Sequence, residues 1–184
     1  MDIRQHILHL AVMEHLRFPV GRFDFQADYS ADDISQWIEV IAAFPAKLEE
    51  LAAELTEEQL SSTYRPEGWT IRQVINHVAD SHINAYGRFK RVVTEDIPTI
   101  NPYDQDLWAE LDDGKNGDIA ISVTLLNSLH NRWVRFMRSK PADIFERTYN
   151  HPEHPGTQKL IFMLQMYAWH CEHHLGHVRI GIEN

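Results

Sequence analysis

Trp169-His170-Cys171-Glu172-His173-His174-Leu175-Gly176-His177 packs four of the twelve histidines of the chain into eight residues. Wound as a helix, this stretch places His170, His174 and His177 at roughly 0°, +40° and −20° about the axis, a single stripe. Side chains four apart are neighbours, so two imidazoles there can share one metal ion. Two ligands leave a site incomplete, and a third must come from a facing segment. Helical bundles build metal sites in this way, from side chains on facing helices.

Outward from that stretch the periodicity is helical almost everywhere. A long helix is expected from Ser30 to Leu55, with Ile34, Trp37, Ile38, Ile41, Phe44, Leu48 and Leu51 at helical spacing and a kink at Pro45. Thr70-Ile71-Arg72-Gln73 is a capping box that opens a second helix, running to about Glu95. A third is expected over Ile119 to Arg138, and a fourth from Thr157 to Ile180 or beyond. Residues Leu60 to Gly68, Asp96 to Asp118 and Tyr149 to Gly156 read as connections, with short helices around Glu57 and Leu107-Trp108. Residues 1–17 read as an extension or tail, and 18–184 as one domain. Strand patterns are nearly absent, so the expected fold is all-α, a four-helix bundle with long crossover connections.

Composition narrows the chemistry. A net charge of −10 argues against a nucleic-acid partner, which needs a basic face. No apolar run approaches the ~20 residues of a membrane span, and no secretory signal is visible. One cysteine excludes an internal disulfide and Cys-rich zinc modules, and fits a cytoplasmic protein. Any metal is therefore held by His, Asp or Glu.

On the second helix, His77 lies on a polar stripe with Asp80, Ser81, Asn84 and Arg88, beside the apolar stripe of Ile71, Val74, Val78, Ala85 and Phe89. That is the pattern of a helix lining a cleft, and it makes His77 the better third ligand. His82 falls within the apolar stripe and reads as a core histidine with one hydrogen bond. His177 lies ~10 Å along the helix from His170, too far for both to bind one ion. It is expected to hydrogen-bond within the bundle or to face a pocket rim. His151 and His154 read as solvated, on a loop that could roof a cleft, and His6, His9 and His15 as parts of the tail. Cys171 reads as a small buried residue. Trp69, two turns from His77, is the tryptophan expected nearest the site. Glu172 does not follow the first histidine directly, so the zincin pattern is not matched.

At these residues the chain resembles the DinB superfamily, and within it the YfiT-like branch of candidate metal-dependent hydrolases. The match is carried by Tyr64-Arg65-Pro66-Glu67-Gly68-Trp69, by the following run through His77, Asp80 and His82, by Arg88-Phe89-Lys90, and by Trp169-His170 with His173-His174-Leu175-Gly176-His177. It extends from about Phe18 to Ile180. The resemblance implies one divalent metal ion, zinc or nickel, on His77, His170 and His174. It also implies a homodimer and, in some bacterial members, transfer of the thiol bacillithiol to electrophiles.

Three neutral ligands leave the ion its full charge and an open position. The ion can then activate a thiol for transfer, or water for hydrolysis. A non-catalytic metal-binding stress protein is the alternative outside enzymology. Asp80, Asn84, Arg88 and Glu172 are the polar residues expected to orient ligands or substrate, with Arg72 and Arg88 candidates for recognising an acidic thiol. The expected partners are a small-molecule thiol, an electrophilic substrate, or both.

Overall fold

Capping chemistry sets the starts of the long helices in the computed structural model, which describes residues 3–183 and, at residues 3, 4 and 6–9, the backbone alone. The side chains of His6 and His9 thus lie outside the described residues. Helix α1 spans Ile3–Arg17. Helix α2, Ala31–Ala52, opens on a capping box between Ser30 and Asp33. After the short α3, Glu57–Ser61, the Thr70/Gln73 box starts α4, Ile71–Thr94. Two short helices, α5 (Gln105–Ala109) and α6 (Asp112–Lys115), lie in the next connection. Helix α7, Ile119–Arg138, is capped by Asp118, and α8 spans Leu160–Glu183.

α2 and α4 each pack against both α7 and α8. Going round the bundle, the order is therefore α2, α7, α4, α8. The connections α2 to α4 and α7 to α8 run between diagonal helices, whereas α4 to α7 joins neighbours. Trp133, Phe44, Phe89, Ile41 and Leu126 fill the centre, with Phe89 edge-on to Trp133 at 5.2 Å between ring centroids. α8 approaches α4 closely at Gly181, where a Cβ would lie 2.1 Å from Ile71 Cδ1.

Two expectations need correction. The segment from Tyr149 is not all loop, and α8 does not begin at Thr157. Strands β1 (Thr148–Asn150) and β2 (Thr157–Lys159) pair antiparallel, with Tyr149 opposite Gln158, and α8 starts only at Leu160. Strands of three residues are too short to show a period of two. Helix α2 runs through Pro45, as its periodicity predicts. The proline ring carries no N–H, so the carbonyl four residues back, on Ile41, lacks its helical donor.

Asn76 on α4 donates to the carbonyls of Asp113 and Gly114 at 3.1 Å, and Gln73 donates to that of Ala109 at 2.9 Å. Two polar side chains of α4 thus pin α5 and α6 against the bundle. The hairpin is stitched to the same connection through Ile100 and Asn150, whose N–H and carbonyl groups bond with a 3.0 Å separation. Among the described residues no helix is long and apolar enough to cross a membrane.

Candidate metal centre

α4 and α8 are adjacent, and they bring His77, His170 and His174 together. Ring centroids are 4.4 Å apart for His170 and His174, 5.1 Å for His77 and His174, and 5.7 Å for His77 and His170. One nitrogen from each lies within 4.8 Å of the other two. Burial, with the neighbouring His177, pushes the His77 pKa down to about 4. Burial and the surrounding imidazoles hold His170 and His174 well below the ordinary histidine range. All three rings are therefore neutral at neutral pH, the form in which imidazole binds a metal. Trp69 packs 4.7 Å from His77 and forms part of the wall.

His173, His174 and His177 make a second cluster with nitrogens within 4.8 Å, sharing His174 with the first. His177 is stacked on Tyr64 at 3.9 Å, with Nδ1 3.3 Å from His174 Nδ1 and Nε2 3.3 Å from the Arg17 carbonyl oxygen. His173 stacks on Trp169 at 4.3 Å, and its Nδ1 is buried without a partner.

Behind His170 the structure shows something that the sequence reading missed. His170 Nδ1 lies 3.1 Å from His82 Nε2, and His82 Nδ1 lies 2.8 Å from Nε2 of His130, on α7. His130 Nδ1 in turn lies 2.7 Å from the Ile41 carbonyl oxygen. His82 thus makes two contacts and not the single hydrogen bond expected of a core histidine. His130 was not singled out at all, although a signal existed. It interrupts the apolar stripe Leu126, Trp133, Met137 of α7, where a polar residue needs a buried partner.

Two cavities meet at His170. The first, about 600 Å³, is lined by Ser81, Arg88, Tyr103, His151 and Tyr167. The second, about 730 Å³, is lined by His77, His174 and His177, with Arg17, Arg65 and Glu67. The loop bearing His151 does roof a cleft, and Arg17 brings the end of α1 to the same place. Of the polar residues expected at the site, only Arg88 lines either of these two cavities. Asp80 lies beside Asp113, and burial together with that neighbour raises its pKa to about 6. Asn84 is spent on the Asp80 backbone carbonyl, at 2.9 Å. Glu172 is turned to α2, where its carboxylate pairs with Lys47 at 2.6 Å. Arg72 is paired with Glu57. Cys171 is fully buried, which raises its thiol pKa, so it is a packing residue.

The comparison with known families is decided by the same helices. A profile of the DinB superfamily matches residues 40–178. The chain belongs to this superfamily. A relative from Bacillus mycoides (strain KBAB4), named as a candidate metal-dependent hydrolase, is 44% identical over 167 residues, covering 90% of this chain and 95% of the relative. One from Bacillus cereus (strain B4264), similarly named, is 43% identical over 166 residues with the same coverage. Among solved structures, YfiT from Bacillus subtilis superposes with a TM-score of 0.88 at 38% identity, covering 92% of this chain and 97% of its own. YfiT is described as a probable metal-dependent hydrolase with an unusual four-helix bundle topology. The diagonal connections give this DinB chain its own departure from an up-and-down bundle.

Proposed function

We propose that this protein is a metal-dependent enzyme that holds one divalent ion, zinc or nickel, on His77, His170 and His174, and transfers a small acidic thiol of the bacillithiol type to an electrophile. The residues fit the ion: three neutral imidazoles converge from two rigid helices and leave one side toward the cavities. His173, His174 and His177 fit it less well. The His177 ring has both nitrogens engaged, and the nearby Arg65 guanidinium opposes positive charge there. A bound ion supplies Lewis acidity, which lowers the pKa of a thiol, ordinarily about 8.5, so that the nucleophilic thiolate forms near neutral pH.

The observation that carries the acidic substrate is Arg88. Its Nε is buried without a partner, and among the described residues the side chain makes no ion pair. An unpaired guanidinium in a cavity that reaches His170 matches a carboxylate-bearing substrate. Arg88 donates to the Asn101 carbonyl at 2.7 Å, which fixes its position, while Tyr103 and Tyr167 offer hydroxyls beside it.

Hydrolysis is the second reading. It is favoured by the names of the relatives and by Glu67 and Asp106 in the wall of the His77 cavity, which are available to orient water. The product separates the two. Metal-dependent consumption of a thiol and an electrophile to give a thioether supports transfer. Turnover without thiol, with oxygen incorporated from labelled water, overturns it in favour of hydrolysis.

A further inference from the structure

The three contacts behind His170 have a direction. A carbonyl oxygen carries only lone pairs, so a ring nitrogen 2.7 Å from it must carry the hydrogen. His130 Nδ1 therefore donates to Ile41. In a neutral ring the other nitrogen then has no hydrogen, so His130 Nε2 accepts, and His82 Nδ1 must be its donor. By the same step His82 Nε2 accepts, and His170 Nδ1 donates to it. Only one nitrogen of His170 remains with a free lone pair, and that is Nε2.

The rings are neutral because charge has no place there. His82 and His130 are 0% and 2% exposed. Phe44 lies against both, at 5.3 and 5.4 Å, and Trp133 is edge-on to both, at 5.9 and 5.7 Å. The terminus is prepared by sequence. Ile41 is four residues before Pro45, so its carbonyl has no helical N–H competing for it. A shorter arrangement repeats the pattern on the next turn of α8. His177 Nε2 faces the Arg17 carbonyl at 3.3 Å and so carries the hydrogen, and its Nδ1 accepts from His174 Nδ1, again at 3.3 Å.

We infer that His82 with His130, and His177 separately, are positioning residues: two imidazole relays, each anchored on a backbone carbonyl, lock His170 and His174 as Nδ1–H tautomers and present Nε2 of each to the ion. The role assigned to the ion rests on the proposed metal centre, whereas the tautomers belong to the chain alone. A histidine ligand ordinarily donates its other N–H to a carboxylate, a carbonyl or water. Here the partner is a neutral imidazole, which orients the ligand without adding negative charge.

Long-range proton–nitrogen correlation spectra of the metal-free full-length protein read the tautomers directly. His82, His130, His170 and His174 should be Nδ1–H, and His177 Nε2–H. A predominant Nε2–H form at His170 overturns the longer relay, and one at His174 overturns the shorter, without recourse to any variant. His82→Gln can reproduce the polarity, its carbonyl accepting from His170 and its amide donating to His130, whereas His82→Leu cannot. Metal affinity is expected to fall roughly 10- to 100-fold in His82→Leu and to be largely restored in His82→Gln. Equal affinities in both variants would overturn the relay. If instead His170→Ala keeps full metal stoichiometry while the wild-type tautomers are as stated, the metal centre fails and the tautomer lock stands.

Discussion

The two halves of the bundle divide their labour. α2 and α7 bury Ile34, Ile38, Ile41, Phe44 and Leu48 against Val123, Leu126, Trp133, Val134 and Met137, with His130 the one histidine among them. α4 and α8 bury Gln73, Asn76, His77, Ser81, His82, Gln165, His173, His174 and His177. Burying polar groups costs free energy unless each finds a partner. Both halves contribute apolar burial, α4 and α8 through residues such as Val74, Phe89, Leu164 and Leu175, and the α4–α8 half carries in addition most of the buried polar groups. Stability and ion binding should therefore respond to different substitutions.

The largest contrast is expected at the ligands. His77→Ala and His174→Ala should each take metal content from about one ion per chain to near zero, read by elemental analysis of purified protein. Unfolding of the metal-free variants should stay close to that of the metal-free parent. A large loss of stability without metal would break the division. Trp133→Ala should do the converse, costing ~3–5 kcal/mol for a fully buried indole. Chemical denaturation measures that cost, and residual folded protein should still take up metal.

Protonation gives an intermediate effect. Burial pushes the His130 pKa down to about 4, from an ordinary value of 6.5. The unfolded chain therefore takes up the proton first as the pH falls. The contribution of neutral His130 is fully present above pH 6.5 and is lost as the pH drops from 6.5 towards 4. The loss is about 3 kcal/mol from the size of this shift. His82, pushed well below its ordinary value by burial, acts in the same direction. Denaturant midpoints of metal-free protein that stay level between pH 7.5 and 4.5 would contradict this.

The smallest effect is expected at Glu172. Its pair with Lys47 is between partly exposed side chains, of a kind that contributes about 0–1 kcal/mol. Glu172→Gln should leave metal content unchanged and shift stability within that range. A marked fall in metal content would return Glu172 to the site.

The sequence makes the long helices legible because amphipathic periodicity and capping boxes are local signals. Thr70 with Gln73 marks the start of α4 to the residue. The three-histidine cluster is legible for a related reason: helix geometry sets the 170/174 pair, and His77 borders an apolar stripe. Arg88 shares the polar stripe of His77 and does reach a cavity. Glu172 could not be placed, because angle about one helix does not say which neighbour will stand opposite. The hairpin was hidden by its brevity. The relay was hidden by its dependence on three helices at once, since nothing near His130 in the chain announces Ile41 or His82.

That dependence has a kinetic side. The three hydrogen bonds from His170 to Ile41 join residues 88, 48 and 89 positions apart. None can form in a local segment, and each must wait until loop-closure entropy has been overcome. A chain with α8 undocked still contains every ligand residue, yet its imidazoles tautomerise freely as in a solvated peptide. The ordered lone pairs arise only once these long-range contacts form, so on the proposed metal centre a partly opened chain would compete for metal as a loose histidine tag, and the closed bundle as a preset chelator.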